Sequence, residues 1–307
     1  MKNRIIVIFL IVIMLTGCNK QDEVLQEGEV RLILSQNFGQ EIIMDVDRKY
    51  EDMSALDLLI ENVDIETTYG GSFVHTIQNI QSGFNQKNSK EKTDWFYYIN
   101  GYLSPIGSAD YFLKPGDIVQ WDFHDWSKRY ASSMIGAFPR DLVDGYGDSE
   151  NNLQIMLGSG FSEWEEELTQ YFNEHGAKSV EIIDTIQPIV NDKNNTLVIG
   201  LWKDLQDNEF INKMVMGGER TGVFFNMDNN IKLMDKTENF FFEAEEGSII
   251  TSFIKDMGNM TKLYVIAGHH AEDIEKALEI LFRDTQEIEG SFSVYISPEK
   301  DIIKFPR

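Results

Sequence analysis

Cysteine is almost absent: the 307 residues hold one, Cys18. A single thiol excludes disulfides, iron–sulfur clusters and cysteine-ligated zinc within one chain. Basic residues are scarce as well, 27 against 51 acids, for a formal charge of −24. Sequence-independent nucleic-acid binding needs a basic footprint to release counterions, and attraction to an anionic membrane surface needs one too, so both are disfavoured. No second long apolar run follows the first, and no repeat at solenoid periods is visible. What is present is 42% apolar and 25% charged residues, a balance that supplies cores for two modest domains rather than a disordered chain.

The one long apolar run is an address. Lys2 and Arg4 precede Ile5 to Met14, and Leu15-Thr16-Gly17-Cys18 closes the segment. A basic start, a short hydrophobic stretch and small residues at the cut make a secretory signal, too short for a comfortable membrane helix. Leu15-Thr16-Gly17-Cys18 resembles the bacterial lipobox, which implies cleavage after Gly17 and lipidation of Cys18 as the new N-terminus. Residues 1–17 are then a signal peptide and 18–28 a tether, and the mature chain sits on the extracytoplasmic face of the cell membrane. The alternative is an uncleaved anchor with an incidental cysteine. An outside location disfavours ATP-driven and nicotinamide chemistry and favours binding, uptake, wall remodelling or adhesion.

Two regions differ in pattern. From Glu29 to Trp126 the segments are short, strand-like and aromatic. Glu29–Ser35 and Glu41–Val46 flank Asn37-Phe38-Gly39 as a hairpin. Met53–Ile60 is helical in character with Ser54 as N-cap. Strands are expected at Ser72–Ile77, Trp95–Ile99 and Ile118–Phe123. A hairpin, a helix and further strands is the order of a β-grasp domain, placed at 29–127. Residues 128–150 are a linker by their Gly, Pro and Asp content, yet Met134, Ile135, Phe138, Leu142 and Val143 equip it to pack on a domain surface.

From 151 to 307 apolar strands alternate with amphipathic helices, which argues an α/β sandwich and makes the whole chain α+β. Strands are expected at Leu153–Leu157, Ser179–Ile183, Thr196–Gly200, Leu263–Ala267 and Phe292–Ile296. Gly222–Asn226 and Asn230–Met234 form a hairpin. Helices are expected at Glu163–His175, Asn208–Met216 and Ala271–Phe282, the first opened by a capping box of Ser162 and Glu165. Gly247–Asp256 reads equally as strand or helix.

The most informative stretch is Asp94-Trp95-Phe96-Tyr97-Tyr98-Ile99-Asn100-Gly101-Tyr102-Leu103-Ser104-Pro105-Ile106-Gly107-Ser108-Ala109-Asp110-Tyr111, continued by Pro115-Gly116-Asp117 into Ile118–Trp121. It resembles the bacterial domain family related to the C-terminal domain of transcobalamin and intrinsic factor: an aromatic strand ending in Asn-Gly, a loop with Gly before Ala-Asp-Tyr, and a Gly-Asp turn into a last strand. Ala55–Leu59 and Gly70–Val74 match that pattern more loosely. The resemblance covers one third of the chain and implies a cobalamin-like corrinoid as transported ligand, with no cofactor required. In those carriers a helical domain covers the other face of the corrinoid, and this chain lacks one.

A flat, amide-fringed macrocycle needs backbone donors and acceptors at its rim and aromatic groups against its face. Ser72, Phe73, Tyr97, Tyr98, Asn100, Tyr102, Leu103, Ser104, Pro105, Ile106, Gly107 and Tyr111 are the candidate contacts. Alternating aromatics also half-fill any β core, so each ring has a plain structural role as its alternative. Asp110 and Asp117 read first as turn-capping residues.

Other chemistry is thinly supported. Gly268-His269-His270, with Asp273, is a weak metal or axial-ligand candidate, and the default is helix entry at a polar turn. Gly158-Ser159-Gly160 lacks the third glycine of a dinucleotide fingerprint, the Lys-Ser/Thr of a P-loop and the surround of a nucleophile elbow. No carboxylate pair is singled out for glycoside hydrolysis. Trp202 and Phe138 are candidates for exposed aromatics, with the core as their default. The sequence therefore reads as a non-catalytic vitamin-binding lipoprotein that serves an uptake transporter, the alternative being a surface interaction protein that binds protein or glycan.

Overall fold

The computed structural model describes residues 28–71, 73–83, 92–127, 133–147, 152–185, 193–216, 222–256 and 258–307. The expected signal peptide, Cys18, the expected tether up to residue 27, and Ser72 lie outside them. Among these residues the chain is a mixed α/β structure, mostly strands in four sheets, consistent with an α+β class.

Strands β1 (Glu29–Gln36) and β2 (Glu41–Lys49) pair antiparallel as the alternation predicts. Their turn holds Phe38 at φ 61°, a conformation that bulky residues avoid. Asp122 compensates: its carboxylate accepts from the amides of Phe38 at 3.0 Å and Gly39 at 2.8 Å. The Phe38 ring also stacks on His124 at 4.4 Å.

Helix α1 (Ala55–Asn62) opens with a reciprocal box, Asp57 N to Ser54 Oγ and Ser54 N to Asp57 Oδ2, both 3.1 Å. It buries Ala55, Leu56, Leu58 and Leu59. Strands β3 (Ile65–Thr68), β4 (Phe73–Ile77) and β5 (Ile80–Gln81) form a small antiparallel sheet. Strands β6 (Thr93–Ile99), β7 (Tyr102–Leu103) and β8 (Ile118–Asp125) complete the first large sheet in the order β2-β1-β8-β6-β7, with β1 and β8 parallel.

The described part of the linker is not a spacer. It carries α2 (Arg140–Val143), and Met134, Ile135, Phe138, Leu142 and Val143 are all buried. Met134 joins the core on one face of the second large sheet, and the other four join the core on its opposite face.

That second sheet contains β9 (Asn152–Leu157), β10 (Val180–Ile183), β11 (Asn194–Leu201), β15 (Ser248–Asp256), β16 (Thr261–Gly268), β17 (Ser293–Ile296) and β18 (Ile302–Phe305). Its order is β10-β9-β11-β16-β15-β17-β18, parallel up to β16 and antiparallel beyond it. Helices α3 (Glu165–Glu174) and α6 (Ala271–Arg283) bury their apolar stripes on one face. The other face meets α4 (Trp202–Leu205), α5 (Glu209–Met216) and the meander β12 (Phe225–Met227), β13 (Ile231–Met234) and β14 (Phe240–Ala244). Phe38, Tyr98 and Leu103 of the first sheet share that core.

One local expectation changes and two open readings are decided. Ser162 opens a short 3-10 turn instead of capping α3, which begins at Glu165 behind Trp164 with no side-chain cap. Gly247–Asp256 resolves as the strand β15. Trp202 and Phe138 are both core residues.

The two large sheets are joined by a buried polar knot. Lys262 on β16 and Asp141 on α2 are fully buried and lie 2.9 Å apart. Lys262 Nζ also donates to the carbonyl of Met134 at 2.9 Å and sits 4.4 Å from the Tyr102 ring centre. Tyr102 Oη lies 2.7 Å from Asp141 O and 3.1 Å from Asn195 Oδ1. Burial pushes the Asp141 carboxyl up and the Lys262 ammonium down, and each charge offsets the isolation of the other. Nearby, three backbones nearly touch: a Cβ on Gly39 would fall 2.0 Å from Gly290 O, and one on Gly136 2.2 Å from Gly290 N. Beside them Glu289 pairs with Arg31 of β1 at 2.5 Å.

Two outcomes are expected. Lys262→Met leaves Asp141 as an uncompensated buried charge and lowers unfolding stability by about 3–5 kcal/mol. Adding Asp141→Leu to it restores most of the loss, both measured by chemical denaturation.

The second outcome concerns pH. Glu289 faces Arg31 on β1, Asp45 and Asp47 on β2, Lys304 on β18 and the nearby Glu287. Burial, with Asp45 and Asp47, outweighs Arg31 and lifts its carboxyl to about 7. The folded chain then holds that proton more tightly than the unfolded one, so the contribution is full below the ordinary carboxylate value of 4.5 and is lost as pH rises through about 7. The Tm of the native chain falls relative to Glu289→Gln across that window; parallel curves would contradict it.

Candidate ligand cleft

Strand β6 carries the site because its two faces are both covered. Trp95, Tyr97 and Ile99 point into the core of the first sheet, under α1. Phe96 and Tyr98 point into the core shared with the second sheet. The strand then reverses at Asn100 and Gly101, with φ 48° and 72°, and returns as Tyr102-Leu103.

From there the chain makes a loop, 104–112, fastened at both corners. The first-turn amides of α1 have no partners inside the helix, and the loop supplies them: Ala55 N donates to Tyr111 O at 2.9 Å and Leu56 N to Ser108 O at 3.0 Å. Asp117 holds the far corner, accepting from Asn100 Nδ2 at 3.0 Å, Tyr111 Oη at 3.0 Å and Lys114 N at 2.9 Å. Asp117 is thus a corner residue, and burial pushes its carboxyl up.

Between this loop, β4, β6 and β8 lies a cleft of about 220 Å³, lined by Phe73, Val74, Trp95, Phe96, Tyr97, Leu103, Ser104, Gly107, Ser108 and Trp121. The Tyr97 ring stacks on Trp121, its cross-strand partner, with centres 5.1 Å apart and planes 27° from parallel. Ser104 Oγ donates to Tyr97 Oη at 2.6 Å, and Tyr97 Oη in turn donates to the Ile106 carbonyl. Burial raises the Tyr97 phenol well above its ordinary value, so it stays protonated. Around it, Tyr69 is 79% exposed and meets Phe73 edge-on, Ile106 is 44% exposed, and the carboxylate of Asp110 lies against Gly107.

Of the residues singled out from sequence, Phe73, Tyr97, Leu103, Ser104 and Gly107 come together in the cleft lining. Pro105 and Ile106 are exposed on its loop. Tyr98 and Tyr102 are fully buried, and Asn100 and Tyr111 nearly so, each facing the interior. Tyr98 packs on Phe292, Tyr102 belongs to the polar knot between the sheets, and Asn100 and Tyr111 are bound to Asp117. Val74, Trp95, Phe96, Ser108 and Trp121 line the cleft without having been singled out. A signal for two of them was present: Trp95 sits two residues from Tyr97, on the same face of a strand, and Trp121 lies inside the strand expected at Ile118–Phe123.

The remaining motifs take structural parts. His269 Nδ1 donates to Glu245 O at 3.2 Å, and Asp273 accepts from Gly247 N at 2.8 Å. No cluster of three His, Cys, Asp or Glu side chains with metal-holding geometry occurs among the described residues. Gly158 lies where a Cβ would come 2.9 Å from Gly200 Cα, which makes the glycine a requirement of adjoining strand ends.

A family model described as a domain of unknown function, DUF4430, matches residues 52–125, a span that contains the whole cleft lining. No curated protein matches the chain. Among solved structures, a candidate metal binding protein from Ruminococcus gnavus ATCC 29149 is 15% identical with a TM-score of 0.27, over 32% of this chain and 98% of that one. Haptocorrin in complex with Cbi is 14% identical with a TM-score of 0.25, over 32% of this chain and 26% of that one. Likenesses of this strength leave the cleft to be read from its own residues.

Proposed function

We propose that the chain is a non-catalytic lipoprotein, held on the extracytoplasmic face of the cell membrane through lipidated Cys18, that binds a cobalamin-like corrinoid and hands it to an uptake transporter. The observation that carries this reading is the Tyr97–Trp121 stack in the wall of an open cleft whose other wall is a hydrogen-bonded loop. Flat aromatic surface beside backbone carbonyls and amides is what a planar, amide-fringed ring requires. The resemblance of residues 94–121 to the transcobalamin-type domain supports the same ligand class. The order hairpin, helix, strands, with β1 and β8 parallel at the centre of the first sheet, supports a β-grasp assignment for this unit.

The cleft volume shapes the mechanism. About 220 Å³ is below the roughly 300–1,000 Å³ of pockets that enclose drug-sized ligands. A macrocycle therefore lies across the cleft with one edge inserted and much of it uncovered, which suits capture followed by transfer. The lining offers no nucleophile–base pair, and its one phenol is hydrogen-bonded and protonated. The exposed Tyr69 and Ile106 beside so small a cleft favour a second reading, a surface protein that binds protein or glycan.

Isothermal titration of the full chain in detergent with cyanocobalamin, dicyanocobinamide and haem separates the two. Saturable heat with both corrinoids, at least about tenfold weaker in Tyr97→Ala, is expected for loss of one aromatic face. A folded chain that takes up neither corrinoid overturns the carrier reading in favour of the second.

A further inference from the structure

We propose that Tyr146, in the linker, is a positioning residue of the cleft: its hydroxyl orients Ser104 and, through Ser104, the stacking ring of Tyr97. This rests on the binding role proposed above and names a residue outside the lining that sets the geometry of that site.

Proton counting fixes the direction of a short chain of hydroxyls. Tyr97 Oη gives its one proton to the Ile106 carbonyl, and Ser104 Oγ gives its one proton to Tyr97 Oη at 2.6 Å. Tyr146 Oη lies 2.8 Å from Ser104 Oγ, so in that pair the phenol is the donor. Burial lifts the Tyr146 phenol above its ordinary value, and the proton it donates stays in place. The chain therefore runs one way, from Tyr146 to Ser104 to Tyr97, and ends on the exposed loop at Ile106. Each bond in such a chain polarises the next, so its first donor supports its last acceptor.

Tyr146 is itself held in place. Its ring packs on Tyr111 with centres 5.4 Å apart and meets Tyr102 edge-on at 6.3 Å. The carbonyl of Gly145 accepts from Asn100 Nδ2 at 3.1 Å, which ties the backbone before Tyr146 to the β6–β7 reversal. Earlier in the same segment, Asp141 is locked to Lys262 of the second sheet. One stretch of linker thus touches the second sheet at one end and the cleft wall at the other. Tyr146 is not among the cleft-lining residues, so its effect on a ligand passes through Ser104 and Tyr97, which are. A wall whose polar groups are oriented from behind presents one geometry to the ligand instead of several.

The test records the ¹³Cζ signals of the tyrosine-labelled full chain in detergent and titrates cyanocobalamin into each variant. The Tyr97 and Tyr146 signals are identified by their absence in Tyr97→Phe and Tyr146→Phe. Tyr146→Phe keeps the packed ring and removes only the hydroxyl. The expected result is a Tyr97 signal that moves before any ligand is added, and cyanocobalamin binding about fivefold weaker. Ser104→Ala cuts the chain at its centre, and adding Tyr146→Phe to it weakens binding no further. Should Tyr146→Phe fail to fold, Ser104→Ala decides alone: the signals of the other two tyrosines both move, or the inference falls. A Tyr97 signal unmoved by Tyr146→Phe overturns the inference, and so does equal binding by that variant and the native chain. Additive losses in the double variant overturn it as well, because Tyr146 then acts by a route other than Ser104. A native chain that takes up no cyanocobalamin overturns the carrier reading, and the Tyr97 signal then decides the inference.

Discussion

Lys262 and Asp141 face each other in a place with no water, and much of the molecule is arranged around that contact. Lys262 rises from the middle of the second sheet, Asp141 comes from the linker helix, and the carbonyl of Met134 and the ring of Tyr102 close the ammonium from the remaining sides. A charge so isolated is tolerated only when its partner and its hydrogen bonds are all in place. The knot therefore fixes three segments at once: the linker, β16 and the β6–β7 reversal. The chain that leaves this reversal goes directly into Leu103, Ser104 and the loop wall of the cleft. A contact between the two large sheets thus sets where one wall of the cleft stands.

Strand β6 then divides its aromatic residues between two tasks. Its odd positions, Trp95 and Tyr97, serve the cleft and the first core. Its even positions, Phe96 and Tyr98, face the core shared with the second sheet, Tyr98 against Phe292 and Phe96 stacked on His124 of neighbouring β8 at 4.5 Å, with Phe96 also reaching the cleft lining. A strand covered on both faces has little freedom to shift register, because a slip of one residue would exchange the two sets. The cleft is accordingly a rigid shelf, shallow because both its floor strands are packed from behind.

The parts of this arrangement that depend on local pattern were legible in the sequence. Short apolar or aromatic runs bounded by turn residues marked β1, β2, β6, β8 and β16, and Ser54 marked the start of α1. Asn100-Gly101 and Gly116-Asp117 marked the loop corners that the structure uses. Elements without a periodic signature were missed: β14 is a run of three phenylalanines, and β18 is four residues long. Of the residues singled out from sequence, Tyr97 and part of the 103–107 loop lie in the cleft lining, whereas Tyr98 and Tyr102 are buried away from it. Tyr98 and Tyr102 look like a binding face until Phe292 and Lys262 are set against them, residues more than a hundred positions away. Lys262 gave no signal at all, since one lysine in a strand otherwise apolar reads as an edge or a solvent-facing position.

The central claim is that the shelf formed by Phe73, Tyr97, Ser104, Gly107 and Trp121 is where a ligand binds. Hydrogen–deuterium exchange of the full chain in detergent, with and without saturating cyanocobalamin, addresses it most directly. Slower amide exchange confined to residues 73–74, 95–97 and 103–108 is the predicted result. Protection elsewhere alone, or none at all in a chain that stays folded, would contradict it.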